Sequence, residues 1–258
     1  MSTKGWNEWA KYRVGIQNSC EKGCPFCFAI YLDMKYKRIS KPEERKTYKK
    51  RKGIKNPDKK YDGLIGFPNT HDITIQNYTE CEDYLLRLLK AGNQVLIVTK
   101  PDYHIIELLI SALSEYKEQL EFRITIGSYD NEVLKKFEPN ASDFEERLLV
   151  LVTLFMAGFE TSAAIEPYTS RDVRGVIERI HHYVTREIWI GKMNHFNGIV
   201  QYAPEIEELR PLYSPETIRA IHKEIVETFS KPVFNGLIER IKFKDTFRKI
   251  VGVGCVNE

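Results

Sequence analysis

Three of the chain's five cysteines fall within eight residues, in the stretch CEKGCPFC formed by Cys20, Cys24 and Cys27. Three thiolates so spaced can face one centre from a tight loop, and Gly23 and Pro25 help the chain to turn. In a reducing compartment such a group points to metal binding rather than to disulfides. A cubane cluster has four irons, so three ligands leave one iron open. Fe–S proteins that only transfer electrons supply four cysteines. An incomplete set therefore suggests that something from outside the chain coordinates the fourth iron. A structural zinc, with Cys81 or a histidine as fourth ligand, uses the same donors, and spacing alone leaves both readings open.

The elements that must position this loop follow from the apolar rhythm. Lys11–Ser19 reads as a first strand leading straight into it. From Tyr61 onward, β-rich runs recur at Leu64–Phe67, Val95–Thr99, Phe122–Ile126, Thr161–Ile165 and Glu187–Ile190. Helical patterns lie between them, with starts expected at Thr79, Asp102, Ser142 and Ser170 and stops at Gly92 and Gly158. Six strands alternating with helices at the spacing of βαβ units predict parallel pairing and right-handed crossovers. The expected fold is α/β: a partial (β/α)6 TIM-type barrel with helices outside and a C-terminal helical extension over about 200–258, opened by Ser214-Pro215.

C-x-x-x-C-x-(aromatic)-C, with Phe26 as the aromatic and a strand directly before it, resembles the signature of the radical S-adenosylmethionine (SAM) superfamily. That resemblance implies one domain over 1–258, folded as a full or partial (β/α) barrel around a 4Fe–4S cluster on Cys20, Cys24 and Cys27. It further implies that the open iron chelates the amino and carboxylate groups of SAM. An electron from the cluster then cleaves the sulfonium, giving methionine and a 5′-deoxyadenosyl radical that abstracts hydrogen from a substrate. An external electron donor of the flavodoxin or ferredoxin type is implied as well.

Short stretches from about residue 11 to 195 resemble the branch that includes spore photoproduct lyase and "DNA repair photolyase"-type proteins. They are Asn69–Asp72, Thr99-Lys100, Thr125–Ser128, Glu138-Pro139, Arg147 and Glu166-Pro167. In that branch a lysine ending strand three and a hydroxyl residue on strand four contact SAM, and Lys100 and Thr125 match them. Phe26, Ser128, Glu138 and Arg147 complete the SAM-binding set so implied, a structural Glu138–Arg147 ion pair being the alternative. An acidic "GGE"-type motif is absent after strand two. Thr70, His71 and Asp72 stand there instead as candidates for the methionine amine. Spore photoproduct lyase has a hydrogen-donating cysteine near this point, where this chain has Asn69, and thymine-dimer repair is therefore not expected. His195, beside Asn194 after strand six, and Cys255 near the end of the chain are candidate substrate-side groups. Cys81 shares a helical face with Leu85 and Leu88, as a core thiol does.

With 42% hydrophobic and 29% charged residues the composition is that of a globular protein. The longest apolar stretch, Leu148–Phe159, is too short to span a bilayer, and the first residues carry no apolar core of a signal peptide. A cytoplasmic protein with no membrane partner is the expectation. Residues 35–60 hold thirteen Lys/Arg against three Asp/Glu, which leaves the rest of the chain at −7 within a total of +3. This basic insertion, about 34–60, reads as a polar helix plus loop. It suits a nucleic acid or another anionic substrate, and equally a solvated lid. Two other functions share these features: a nucleic-acid-binding protein with a structural metal, and an activating enzyme that places a glycyl radical on a partner protein. No auxiliary cysteine cluster supports sulfur insertion or two-cluster chemistry.

Overall fold

A computed structural model describes residues 5–47 and 55–252. Seven parallel strands lie side by side in sequence order: β1 (Tyr12–Arg13), β2 (Ile65–Phe67), β3 (Val95–Thr99), β4 (Leu120–Thr125), β5 (Glu160–Ile165), β6 (Ile188–Ile190) and β7 (Ile241–Phe243). They curl into a half-barrel with helices around it. Of the helices, α1 (Phe28–Lys35) follows the cysteine loop, α2 (Tyr78–Lys90) and α3 (Tyr103–Leu113) flank β3, and α4 (Asn131–Phe137) and α5 (Phe144–Met156) link β4 to β5. The connection from β5 to β6 carries α6 (Val173–Ile180). After β6 come α7 (Phe196–Val200), α8 (Pro215–Phe229), α9 (Leu237–Arg240) and, beyond β7, α10 (Asp245–Val251).

The sequence-based count of six strands misses β7, which lies in the stretch read as a helical extension. It is three residues long, too short for an alternating pattern, and owes its state to pairing with β6 through Ile188–Ile241, Trp189–Lys242 and Ile190–Phe243. The first strand also contracts to Tyr12–Arg13, paired with Ile65 and Gly66. The remainder of Lys11–Ser19 turns into the cysteine loop, with Val14 and Ile16 still buried. Helix starts shift by one or two residues, at α5 and α6 to a nearby carboxylate. Asn77 precedes α2, and the carboxylates of Asp143 and Asp172 accept the first-turn amides where Ser142 and Ser170 were expected to do so. Asp102 and Ser214 cap α3 and α8 as read. Gly92 and Gly158, both with positive φ, end their helices. Among the described residues no helix is long and apolar enough to cross a membrane.

Alternation along the strands divides the sheet into two faces. Phe67 stacks on Tyr84 of α2 and Phe122 packs edge-on to Phe159, so the convex face builds the main core with the helices. Cys81 is fully buried there beside Leu85 and Leu88. Gly66, Arg123 and Trp189 belong to the concave face. Trp6 closes against Gly66 so tightly that a Cβ there would come within 2.6 Å of its ring. The Arg123 guanidinium lies between Trp9 and Trp189 and donates to Ser162 Oγ (2.9 Å) and Glu121 Oε1 (2.8 Å). Lys244 donates to Gly5 O (2.6 Å) and sits 3.4 Å from Glu8 and 3.7 Å from Glu166. Trp6, Trp9 and Trp189 thus form, with buried charges, the packing of the half-barrel's concave side. The ends from which a ligand can enter a barrel are those following the strands, and the described candidate residues lie on the segments that follow them.

Candidate active site

The cysteine loop leaves β1 and is clasped by other elements on several sides. The Cys20 amide donates to Arg45 O (3.0 Å), Asn140 Nδ2 to Glu21 O (3.1 Å), and Tyr202 OH to Cys27 O (3.2 Å). Gly23, at φ +62°, supplies the left-handed turn that places Cys24 inward. Cys24 and Phe26 belong to a second apolar cluster with Phe137, Met193, Ile199 and Ile206. The segment after β6 therefore packs over the loop and keeps water from it.

The three thiols lie within electrostatic reach of one another. Burial pushes Cys20 up to about 11, with Asp72 and Cys27 adding to the shift. Burial raises Cys24 further still, against the opposing pull of Lys100. Cys24 is buried and Cys20 and Cys27 are half-buried; thiols that burial keeps protonated become good ligands once a metal takes the charge, and an all-sulfur donor set suits a soft, iron–sulfur type of centre. Among the described residues no three His, Cys, Asp or Glu side chains are gathered tightly enough to grip a single ion. A cubane spreads its thiolates over three corners and asks for a wider set. In the metal-free chain, alkylation of Cys20 at pH 8 should run about two orders of magnitude slower than in urea-unfolded protein, since only roughly one thiol in a thousand is ionised at a pKa near 11. Peptide mass spectrometry of iodoacetamide-treated samples measures this. Equal rates in folded and unfolded chain would mean that the loop is open to solvent.

Lys100 follows β3, its side chain 19% exposed. The ammonium lies 5.6 Å above the Phe26 ring and 3.8 Å from Glu138 Oε1. Among the described residues it makes no hydrogen bond, so its three donors remain available at the edge of the cysteine loop. Burial works to lower its pKa, while the Cys24 sulfur when ionised and the Glu138 and Asp72 carboxylates raise it. Glu138 Oε2 lies 2.5 Å from Arg147 Nη2, both side chains being buried. Arg147 also donates to Ser142 O (2.9 and 2.7 Å) and to Thr125 O (3.0 Å). Lys100, Glu138 and Arg147 thus form one buried chain of charge, and the ion-pair alternative for Glu138 and Arg147 is present in the structure.

The residues after β2 are engaged in holding the site together. Ile16 N–H donates to His71 Nε2 (3.1 Å), which fixes the proton on Nδ1, where it is donated to Asp72 O (2.9 Å). Thr70 Oγ1 donates to Gln17 O (2.9 Å). Asp72 accepts from Thr99 Oγ1, from Lys100 N (2.9 Å) and from Ile73 N (2.9 Å). Both ring nitrogens of His71 are committed to backbone, so it joins the segment after β1 to the loop after β2, while the Asp72 carboxylate ties that loop to the end of β3. Thr125, buried, ends β4, while Ser128 is fully buried with its hydroxyl accepting from Asp130 N (3.0 Å).

Across the mouth, His195 has φ +58° and starts α7, its exposed ring stacked on Tyr31 of α1 at 4.8 Å. Asn194 donates to Glu166 Oε1 (3.2 Å). Cys255 lies outside the described residues, as does the middle of the basic stretch, including Lys49, Lys50, Arg51 and Lys52. The polar helix expected in that stretch falls partly on those residues; the described part of the insertion follows the end of α1 at Lys35 and contains a 3-10 turn, Pro42–Lys46. Arg45, Asn140 and Tyr202 were not identified from sequence, since none carries a local signal of its distant partner.

The parallel half-barrel, with its three-cysteine loop after β1 and a lysine after β3, resembles in fold the structures solved for radical SAM proteins. No protein-family model matches the chain. It is 27% identical over 200 residues to the uncharacterized protein ORF301 of Acidianus two-tailed virus, covering 70% of this chain and 66% of that one. Streptococcus suis SuiB bound to precursor peptide SuiA superposes with a TM-score of 0.61 at 10% identity, over 92% of this chain and 49% of SuiB. SuiB bound to S-adenosylmethionine gives the same score over 90% of this chain. A double mutant of spore photoproduct lyase with bound AdoMet and dinucleoside spore photoproduct gives 0.53 at 17% identity, over 76% of this chain and 62% of that one. The chain thus spans about half the length of SuiB.

Proposed function

We propose that this chain is a radical SAM enzyme, with a 4Fe–4S cluster on Cys20, Cys24 and Cys27 and SAM bound against its open iron. The observation that carries this reading is Lys100. It is an ammonium with no hydrogen-bond acceptor among the described residues, held 5.6 Å over Phe26 at the C-terminal end of a barrel strand, beside Cys24 of the cysteine loop. When bound, the cluster supplies the electron that cleaves SAM to methionine and a 5′-deoxyadenosyl radical. The chain's own part is to bind, orient and exclude water. Lys100 pairs with the SAM carboxylate, Glu138 and Arg147 hold Lys100 in place, and Thr125 lines the pocket at the end of β4. The apolar cluster around Phe26, Met193 and Ile199 keeps the reacting centre dry. SuiB and spore photoproduct lyase, both solved with SAM bound, support the cofactor. The substrate in this reading is small and anionic or nucleotide-like, flanked by the basic stretch 35–60. The reductant is a flavodoxin- or ferredoxin-type donor, and the setting is the cytoplasm.

Lys100→Ala should weaken SAM binding by about 1–3 kcal/mol, the range for a charge-assisted hydrogen bond. Calorimetric titration of SAM into the reconstituted chain measures it. An unchanged dissociation constant would leave Lys100 as a strand terminus and remove the main support for SAM at this place.

A further inference from the structure

One residue outside the cysteine loop ties that loop to two other elements. Arg45 belongs to the basic stretch, yet it is only 4% exposed. Its guanidinium donates to the Asp33 carboxylate of α1 and, at 2.6 Å, to Thr70 O in the loop after β2. Its own carbonyl accepts the Cys20 amide at 3.0 Å. Thr70 closes the circuit through Gln17 O. One arginine therefore links the backbone of the first cysteine, the helix that starts at the last cysteine, and the loop that packs beneath both. The contacts of Asn140 and Tyr202 each reach the loop at one edge only. A guanidinium suits this place because its planar fork serves a carboxylate and a carbonyl at once, which a lysine cannot do.

We infer that Arg45 is a positioning residue for the cluster: by fixing Cys20 relative to α1 and Thr70, it holds the three thiols in ligating shape before iron arrives. This rests on the reading under Proposed function. Groups one step removed from a metal orient its ligands, and losing such a group costs about 10–100-fold in metal affinity. The burial of Arg45 also removes it from any nucleic-acid surface, so the head of the basic stretch acts as a strut.

The test uses full-length chain, reconstituted anaerobically, with Arg45→Ala, Arg45→Lys and Asp33→Asn. Iron loss to a chelator is followed by absorbance, and the reduced cluster is recorded by EPR with and without SAM. Arg45→Ala and Asp33→Asn should lose iron about tenfold faster than wild type and give altered EPR line shapes, Arg45→Lys falling between. Circular dichroism of the metal-free variants should remain that of wild type. Wild-type rates and line shapes in all three variants would overturn the inference. So would loss of the metal-free fold in all three, which would make Arg45 a general structural residue. A wild-type chain that takes up no iron would instead contradict the cluster reading itself, and this inference with it.

Discussion

Replacing Cys20, Cys24 and Cys27 together by alanine is expected to take the anaerobically reconstituted chain from about four irons and four sulfides to none. The effect should be complete because no other described thiol can stand in. Cys81 is fully buried on the core face of α2, its Sγ 3.5 Å from Asn77 Oδ1. Single substitutions are less decisive, since two remaining thiolates and the dry pocket can retain part of a cluster. The same assay separates a cubane from a structural zinc: a zinc site gives one zinc per chain and no sulfide. Full iron loading of the triple variant would sink the assignment, and stoichiometric zinc in the wild type would replace it.

The second large effect is on stability. Arg147→Ala should destabilise the folded chain by about 3–5 kcal/mol, because it leaves a buried carboxylate without its partner. Glu138 would keep only Lys100, at 3.8 Å, and the carbonyls of Thr125 and Ser142 would lose their donors. Adding Glu138→Gln should recover part of the loss, since the stranded charge is then gone. Urea unfolding of the metal-free proteins measures both steps. A loss under about 1 kcal/mol for Arg147→Ala would mean that the Lys100–Glu138–Arg147 chain is open to water and unable to hold Lys100 for a ligand.

The main features of this arrangement were legible because they are local. The cysteine spacing, the alternation of apolar strands with helices and the glycines that stop α2 and α5 are all read within a few residues. What escaped the sequence depends on partners far along the chain. The three residues of β7 become a strand only beside β6. Asp143 and Asp172 displaced the expected Ser142 and Ser170 starts because a nearby carboxylate offered an equal or better acceptor, while α2 starts after Asn77 without a side-chain cap. Arg45 sits among solvated lysines and reads as one more charge, until α1 and the loop after β2 are seen to enclose it. His71 read as a candidate for the methionine amine, yet its two nitrogens serve Ile16 and Asp72.

The most direct test of the account is formation of 5′-deoxyadenosine by the anaerobically reconstituted chain, reduced with dithionite in the presence of SAM and followed by liquid chromatography and mass spectrometry. Slow 5′-deoxyadenosine release is expected even without substrate, accompanied by methionine in equal amount, and none from the variant lacking Cys20, Cys24 and Cys27. Wild-type chain that carries a full cluster, binds SAM and yields no 5′-deoxyadenosine under any reductant would contradict the account.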